Sequence, residues 1–376
     1  MKILCFNSTL DVGGAARQLS NLAAELKKTG HDVTFLICHN KKHHGDVLEE
    51  VNIPIVFIKE NNYLKRVLKI RKFIRSSSFD AVITFLGPAN FISICSGFPF
   101  RRWKTIVGER SADPNTLKSI RYFIFRFCHL FASAVVSNSH TNMSMVKKSI
   151  PFLPSSKCHV IYNMVDLDKW QPAYNHIYKK DGYLKIVVPA RYHESKNINN
   201  FIEALQKLDC HDRKRIKIDW FGNIEIAESS KNIYESAKNK IIEYGLQDVL
   251  KLHLASNNIY KEMIHADIVG LFSLYEGLPN AICEGMACGK PVLSTNVSDV
   301  SRLVRNNVNG FIIENTDSDS IYEGLKSALN ASVETLVSMG NKSREMAEEL
   351  FASSFITERY LNLLSKKNEN KSTTCY

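Results

Sequence analysis

Two glutamates, Glu276 and Glu284, stand eight residues apart in YEGLPNAICEGMACGKPVLST (residues 275–295), a run otherwise built of small, kinked and apolar residues. The run before it, IVGLFSL, reads as a buried strand. Pro279 suits the first turn of a short helix and Gly289 its C′ position, and PVLST reads as the next strand. A helix that starts beyond the C-terminal end of a parallel strand offers N–H groups to an anion. The backbone of Gly277, Leu278, Pro279, Asn280 and Ala281 is therefore a candidate phosphate cradle. A carboxylate beside a phosphate repels it, so the natural partners of Glu276 and Glu284 are hydroxyl groups, which donate to carboxylate oxygens. A sugar at one glutamate and a ribose at the other satisfy both; a solvated loop residue and a solvated helix residue are the plain alternative.

Cations come from VVPARYHESKN (187–197), where a strand ends at Arg191 and a loop carries Lys196 into a helix. Arginine forks two phosphate oxygens and lysine adds a point charge, which is what a diphosphate requires. Basic residues at helix starts are also common on plain surfaces. Gly13-Gly14 lies in the first strand-to-helix turn without the full GxGxxG spacing, and serves either close backbone approach to a ligand or a tight turn. Asp166-Leu-Asp168 and Asp317-Ser-Asp319 match a metal-binding DxD, a pattern too short to carry an assignment, and no bound metal is expected.

These residues need scaffolds. KILCFNST, DVGGAAR, QLSNLAAELKKTG and DVTFLIC read in order as strand, glycine turn, amphipathic helix and strand, a βαβ unit that implies a parallel sheet. Further strands are expected at 53–58, 80–86, 105–109 and 133–139. VIYNMVDLDKW (160–170) marks a boundary, and a second series of strands follows at 184–190, 216–222, 249–255, 266–274 and 310–314. The expected division is a first domain at 1–170, a second at 171–348, and a last helix with a frayed polar tail at 349–376.

The chain has 376 residues and a net charge of +11, with no apolar run long enough to span a bilayer and no signal-peptide pattern. A cytoplasmic protein is expected. Nine cysteines without metal-ligand spacing read as reduced, mostly buried thiols. Residues 1–170 hold 24 Lys and Arg against 12 Asp and Glu. The first half thus suits an anionic partner, either a membrane surface or a nucleic acid, or simply serves solubility. YLKRVLKIRKFIR (63–75) interleaves cations with apolar residues, making Lys65, Arg66, Lys69 and Lys72 membrane-contact candidates. IRYFIFRFCHLFAS (120–133) is aromatic and basic. Either stretch could instead pack its apolar face on the sheet.

Together, the E-x7-E of Glu276 and Glu284 inside EGLPNAICEGMACGKPV, Arg191 with Lys196, Gly13-Gly14 and the N-M-V-D of Asn163 to Asp166 resemble a retaining nucleotide-sugar glycosyltransferase of family 4. The resemblance runs over nearly the whole chain and implies a GT-B fold. That is an α/β architecture of two Rossmann-like domains facing each other across a cleft, with a C-terminal helix crossing back to the first. It further implies that Arg191 and Lys196 hold the donor diphosphate, that Glu276 contacts the transferred sugar and Glu284 the ribose, and that Gly13 and Gly14 close over the donor. Catalytic weight falls on Arg191, Lys196 and Glu276, without cofactor or metal. Where many members carry a first-domain histidine, TIVGERSADPN has Glu109-Arg110, similar to the SERNDP-like segment of bacterial surface-polysaccharide enzymes, some of which use N-acetylhexosamine donors. Glu109 and Arg110 are acceptor-side candidates, or else a structural ion pair.

The expected function is transfer of a sugar from a nucleotide diphosphate, UDP by preference, to a lipid-linked or surface glycan in capsule, O-antigen or similar synthesis. The enzyme would be cytoplasmic, or peripheral on the cytoplasmic face of the inner membrane. The rivals are another GT-B enzyme such as a sugar-nucleotide epimerase or a synthase, a basic nucleic-acid-binding protein, and a non-catalytic donor-binding relative. No RNA- or DNA-binding motif supports the nucleic-acid reading.

Overall fold

The computed structural model describes residues 1–11, 13–40, 44–110, 113–224, 228–256 and 258–365. The polar end KKNENKSTTCY, read above as frayed, lies outside them. The chain divides into two compact units, Met1–Met164 together with the segment from Ser353, and Val165–Ala352. The first division thus falls inside the N-M-V-D string.

The first unit is built on seven strands, β1 (Lys2–Phe6), β2 (Asp32–Ile37), β3 (Ile55–Phe57), β4 (Ala81–Phe85), β5 (Lys104–Glu109), β6 (Ala134–Ser137) and β7 (Cys158–Val160). All pair in parallel, in the order β3-β2-β1-β4-β5-β6-β7. Strand side chains alternate between faces. Ile3 and Cys5 join a core with Leu19 of the helix Gly14–Lys28, while Leu4 and Phe6 join one with Ile70, Ile74 and Ile92. A sheet covered on both sides explains why its strands read as continuous apolar runs. β7 escaped the sequence reading because its three residues, Cys-His-Val, lack such a run.

The second unit holds β8 (Leu184–Pro189), β9 (Ile216–Gly222), β10 (Leu250–Leu254), β11 (Ile268–Leu271), β12 (Val292–Thr295) and β13 (Gly310–Ile313). They form a parallel sheet in the order β10-β9-β8-β11-β12-β13. The helix Val333–Phe351 ends this unit, and Val165 N–H donates to Phe351 O at 3.0 Å. The next helix, Ser353–Ser365, belongs to the first unit, where Ile356, Tyr360 and Leu364 enter the core beneath β1 and β2. The return helix expected at about 349–365 therefore starts at Ser353.

Among the described residues no helix is long and apolar enough to cross a membrane. Among the described residues eight cysteines are free thiols, of which Cys5, Cys38, Cys283 and Cys288 are buried, fewer than expected.

Candidate functional site

A reversal of strand order locates the site. β9 and β10 lie to one side of β8, and β11 to β13 to the other. The loops after the neighbours β8 and β11 therefore diverge, leaving a crevice beyond their C-terminal ends, where open parallel sheets bind ligands. Arg191 and Lys196 follow β8; Glu276 and the helix bearing Glu284 follow β11.

The end of β8 is locked before the cations begin. Trp220 Nε1 donates to Ala190 O at 2.7 Å, Tyr192 OH donates to His253 O at 2.7 Å, and a Cβ on Gly222 would collide with the Ala190 carbonyl. Arg191 is exposed just past this anchor. The 3-10 turn Glu194–Lys196 follows, with Ser195 N–H donating to His193 Nδ1 at 3.1 Å. Asn197, left-handed at φ 63°, then turns the chain into the helix Ile198–Gln206.

The two loops are joined by Leu274 N–H, which donates to Ser195 O at 2.8 Å. That bond sets the lysine against the first glutamate. Lys196 Nζ donates to Glu276 Oε1, and the two side chains are 15 % and 13 % exposed. Ser273 Oγ donates to the same oxygen at 2.7 Å, and Thr295 Oγ1 holds Ser273 through its carbonyl at 2.8 Å. Ser298 Oγ donates to Gly277 O at 2.6 Å. Sequence reasoning missed this serine and threonine support, since single hydroxyl residues in loops carry no periodic signal.

Pro279 sits just ahead of the helix Asn280–Ala287, one position earlier than the first turn expected for it. The hydrogen-bond ladder begins with Ile282 N–H donating to Pro279 O at 3.0 Å, so Asn280 and Ala281 precede it. Gly289 has φ +67°; its N–H donates to Met286 O at 2.9 Å, and Lys290 N–H to Gly285 O at 3.0 Å. This is the left-handed C-terminal cap predicted from the glycine. A Cβ on Gly285 would lie 2.8 Å from Val269 Cβ, so the helix rests directly on β11. Glu284, one residue away, is only 8 % exposed and is not a solvated helix residue.

In the first unit the order reverses between β1 and β4. Gly13 and Gly14 follow β1. Gly13 is extended, at φ 171°, and a Cβ there would meet nothing within 4 Å. The turn itself therefore does not demand glycine at this position. Leu86, directly after β4, holds φ 74° and ψ 148°, a strained conformation at the same reversal point that the sequence reading did not anticipate.

Glu109 ends β5 and Arg110 follows it, one strand away from that point, and they do not form an ion pair with each other. Glu109 Oε2 is 3.5 Å from Arg126 Nη2, and Oε1 is 3.5 Å from His129 Nε2. Arg126 and Glu109 are 1 % and 8 % exposed. Burial raises the Glu109 carboxyl above its ordinary range, with Arg126 opposing. His129 is held down to about 3 by burial and then by Arg126, so it is neutral. Arg110 Nη1 donates to Asn163 Oδ1 at 2.9 Å, Nη2 donates to Tyr360 OH, and the guanidinium lies 3.8 Å over the Phe85 ring. Both residues are bonded into the fold.

Lys65, Arg66, Lys69 and Lys72 lie on the helix Tyr63–Ser76. Lys69 pairs with Glu60 at 2.6 Å, Arg66 stands over the Tyr63 ring, and Lys65 and Lys72 are exposed. The two DxD strings have local tasks: Asp166 accepts from Asp168 and Lys169 N–H, and Asp317 caps the helix Ser318–Asn330. A cavity of about 530 Å³ opens at the opposite, N-terminal edge of the second sheet, lined by His176, Lys185 and Asp267 among others. Asp267 is already engaged there by His176 and by the N–H groups of Lys179 and Lys185.

This architecture is shared with solved glycosyltransferase structures. The Anabaena protein HepE, crystallised with UDP, superposes with a TM-score of 0.85 at 18 % identity, over 97 % of this chain and all of the other. The fold is GT-B. Residues 12–169 match the family model described as Glycosyltransferase Family 4, and residues 174–346 the one described as Glycosyl transferases group 1. The two domains of this chain are thus those of a glycosyltransferase. A Campylobacter jejuni N-acetylgalactosamine-N,N'-diacetylbacillosaminyl-diphospho-undecaprenol 4-alpha-N-acetylgalactosaminyltransferase is 23 % identical, over 79 % of this chain and 77 % of its own length. An Escherichia coli UDP-Gal:alpha-D-GlcNAc-diphosphoundecaprenol alpha-1,3-galactosyltransferase is 30 % identical, over 46 % of each chain.

Proposed function

We propose that the protein transfers a hexose or N-acetylhexosamine from a UDP-sugar, with retention and without a metal, to a polyprenyl-diphosphate-linked glycan. The carrying observation is the Lys196–Glu276 pair at the crevice beyond β8 and β11. Glu276 alone would repel a diphosphate. Paired with Lys196, it becomes a neutral unit whose ammonium turns toward phosphate oxygens while the carboxylate accepts from sugar hydroxyls. Arg191 adds a forked contact to the same diphosphate, and Glu284 accepts from the ribose.

The bond from the anomeric carbon to the diphosphate oxygen breaks, and its electron pair leaves with the nucleotide. Arg191, Lys196 and the backbone at Gly277 to Ala281 stabilise the charge that gathers there. The acceptor hydroxyl attacks from the same face, and its proton passes to the departing phosphate. UDP in the Anabaena structure, and the UDP-Gal and diphosphoundecaprenol in the names of relatives, support this donor and acceptor class. The protein would then work at the cytoplasmic face of a membrane.

The test is nucleotide release from a panel of UDP-, GDP-, ADP- and TDP-sugars with a polyprenyl-diphosphate glycan acceptor. Arg191→Ala and Lys196→Ala should each lower turnover by about 10²–10³-fold, with Arg191→Ala, at an exposed position, leaving the melting temperature in place. Unchanged turnover would overturn the assignment of these cations, and chelator-sensitive transfer would overturn the metal-free mechanism.

A further inference from the structure

The first unit contains a helix that is inside out. Ile120, Phe123, Ile124 and Phe127 recur at the spacing of one helical stripe, yet all four are exposed, whereas the buried residues of Ile120–Phe127 are Phe125 and Arg126. The apolar face continues beyond the helix. Phe152 meets Phe127 with ring centroids 6.2 Å apart, and Phe98 meets Phe131 at 4.9 Å. Arg71 and Arg75 donate to the carbonyls of Ser96 and Phe100, which fastens the helix Tyr63–Ser76 to the Phe98–Phe100 loop. Leu64 and Leu68 fall on the same stripe as those arginines and are exposed. Ile120 is 74 % exposed and Phe100 79 %.

Charge around this face is one-sided. Residues 114–165 contain six Lys or Arg and no Asp or Glu. Lys118, Arg121, Lys147 and Lys148 are exposed. A second copy of the face would set cations against cations, and the exposed aromatic stripe has no role in a purely electrostatic grip on nucleic acid. An anionic bilayer suits both features, because rings enter the acyl boundary while cations meet lipid phosphates.

We propose that this face seats the protein on an anionic phospholipid surface, with Ile120, Phe123 and Phe127 inserted and Lys118, Arg121, Lys147 and Lys148 on the headgroups. The contact centres on this helix rather than on Lys65, Arg66, Lys69 and Lys72, of which Lys69 already has Glu60. It stands independently of the donor chemistry.

Vesicle flotation of the full chain tests it. Binding to phosphatidylcholine vesicles containing phosphatidylglycerol is expected, with release by salt. Ile120→Ser with Phe123→Ser should weaken it at least about tenfold, and Lys118→Glu with Arg121→Glu by about tenfold or more. UDP-induced thermal stabilisation, measured on the same variants, should be unchanged and separates this outcome from the donor reading. As a gain-of-signal check, Phe123→Trp should give a blue shift with anionic vesicles and quenching by brominated lipid. No wild-type binding to these vesicles, variants that bind as the wild type does, or an indole emission in Phe123→Trp that stays unshifted would each overturn the proposal. So would self-association, or oligonucleotide binding, that the variants abolish while vesicle binding persists.

Discussion

Each unit ends a strand in a charged pair, and the two pairs have different fates. Lys196 and Glu276 follow β8 and β11, at the reversal of the second sheet, and each keeps some exposure. Glu109 ends β5, one strand beyond the reversal of the first sheet, and its partner Arg126 comes from a helix that covers it. Similar residue types stand at an open crevice in one place and are bonded into the fold in the other. The difference lies in topology: at the reversal the neighbouring loops part and leave room, whereas beside it helices close over the strand ends and the charges must find partners inside.

The sharpest break in this comparison would come from Arg110. Arg110→Ala removes charge-assisted bonds to Asn163 and Tyr360, and should cost roughly 3–5 kcal/mol of stability, read from urea denaturation. Normal stability with lost turnover would instead place Arg110 among the functional residues. Next in size is Gly285→Ala, whose new methyl would press on Val269; about 1–3 kcal/mol should be lost, with weaker UDP binding as the Glu284 helix shifts.

A smaller effect concerns pH. His129 titrates near 6.5 when unfolded and near 3 when folded, so between those values the unfolded chain binds a proton that the folded chain refuses. Stability should therefore fall as pH drops through this window, with the raised Glu109 carboxyl partly offsetting the loss at its acidic end. His129→Leu should flatten the urea midpoint between pH 6.5 and 5; an unchanged slope would mean that His129 is not held neutral. Least disturbing to the fold is Gly13→Ala, which should change stability by no more than about 0.5 kcal/mol yet weaken donor binding in calorimetry. Equal affinity would reduce Gly13 to an ordinary turn residue.

Legibility in the sequence followed the same divide. Strands buried on both faces announced themselves as apolar runs, and Gly289 announced its left-handed cap. The candidate site in the second unit could be singled out because its glutamates, proline and glycines fall within one short β-loop-α segment. What could not be read was assembled from distant segments: Leu274 bonded to Ser195, Arg126 folded over Glu109, and Tyr360 brought to Arg110 from 250 positions away. No local spacing encodes such meetings. The helix Ile120–Phe127 was ambiguous for another reason, since periodicity identifies an apolar stripe without saying whether it faces inward or outward.

The helix Ser353–Ser365 gives the first unit an unusual birth order. Its core lacks Ile356, Tyr360 and Leu364 until translation has passed the whole of Val165–Ala352. At about 5–20 residues per second, the earlier half waits on the ribosome for tens of seconds with one face of its sheet covered only in part, by the helix Gly14–Lys28. The later half leaves the exit tunnel complete. For this chain, the part made first is the part finished last.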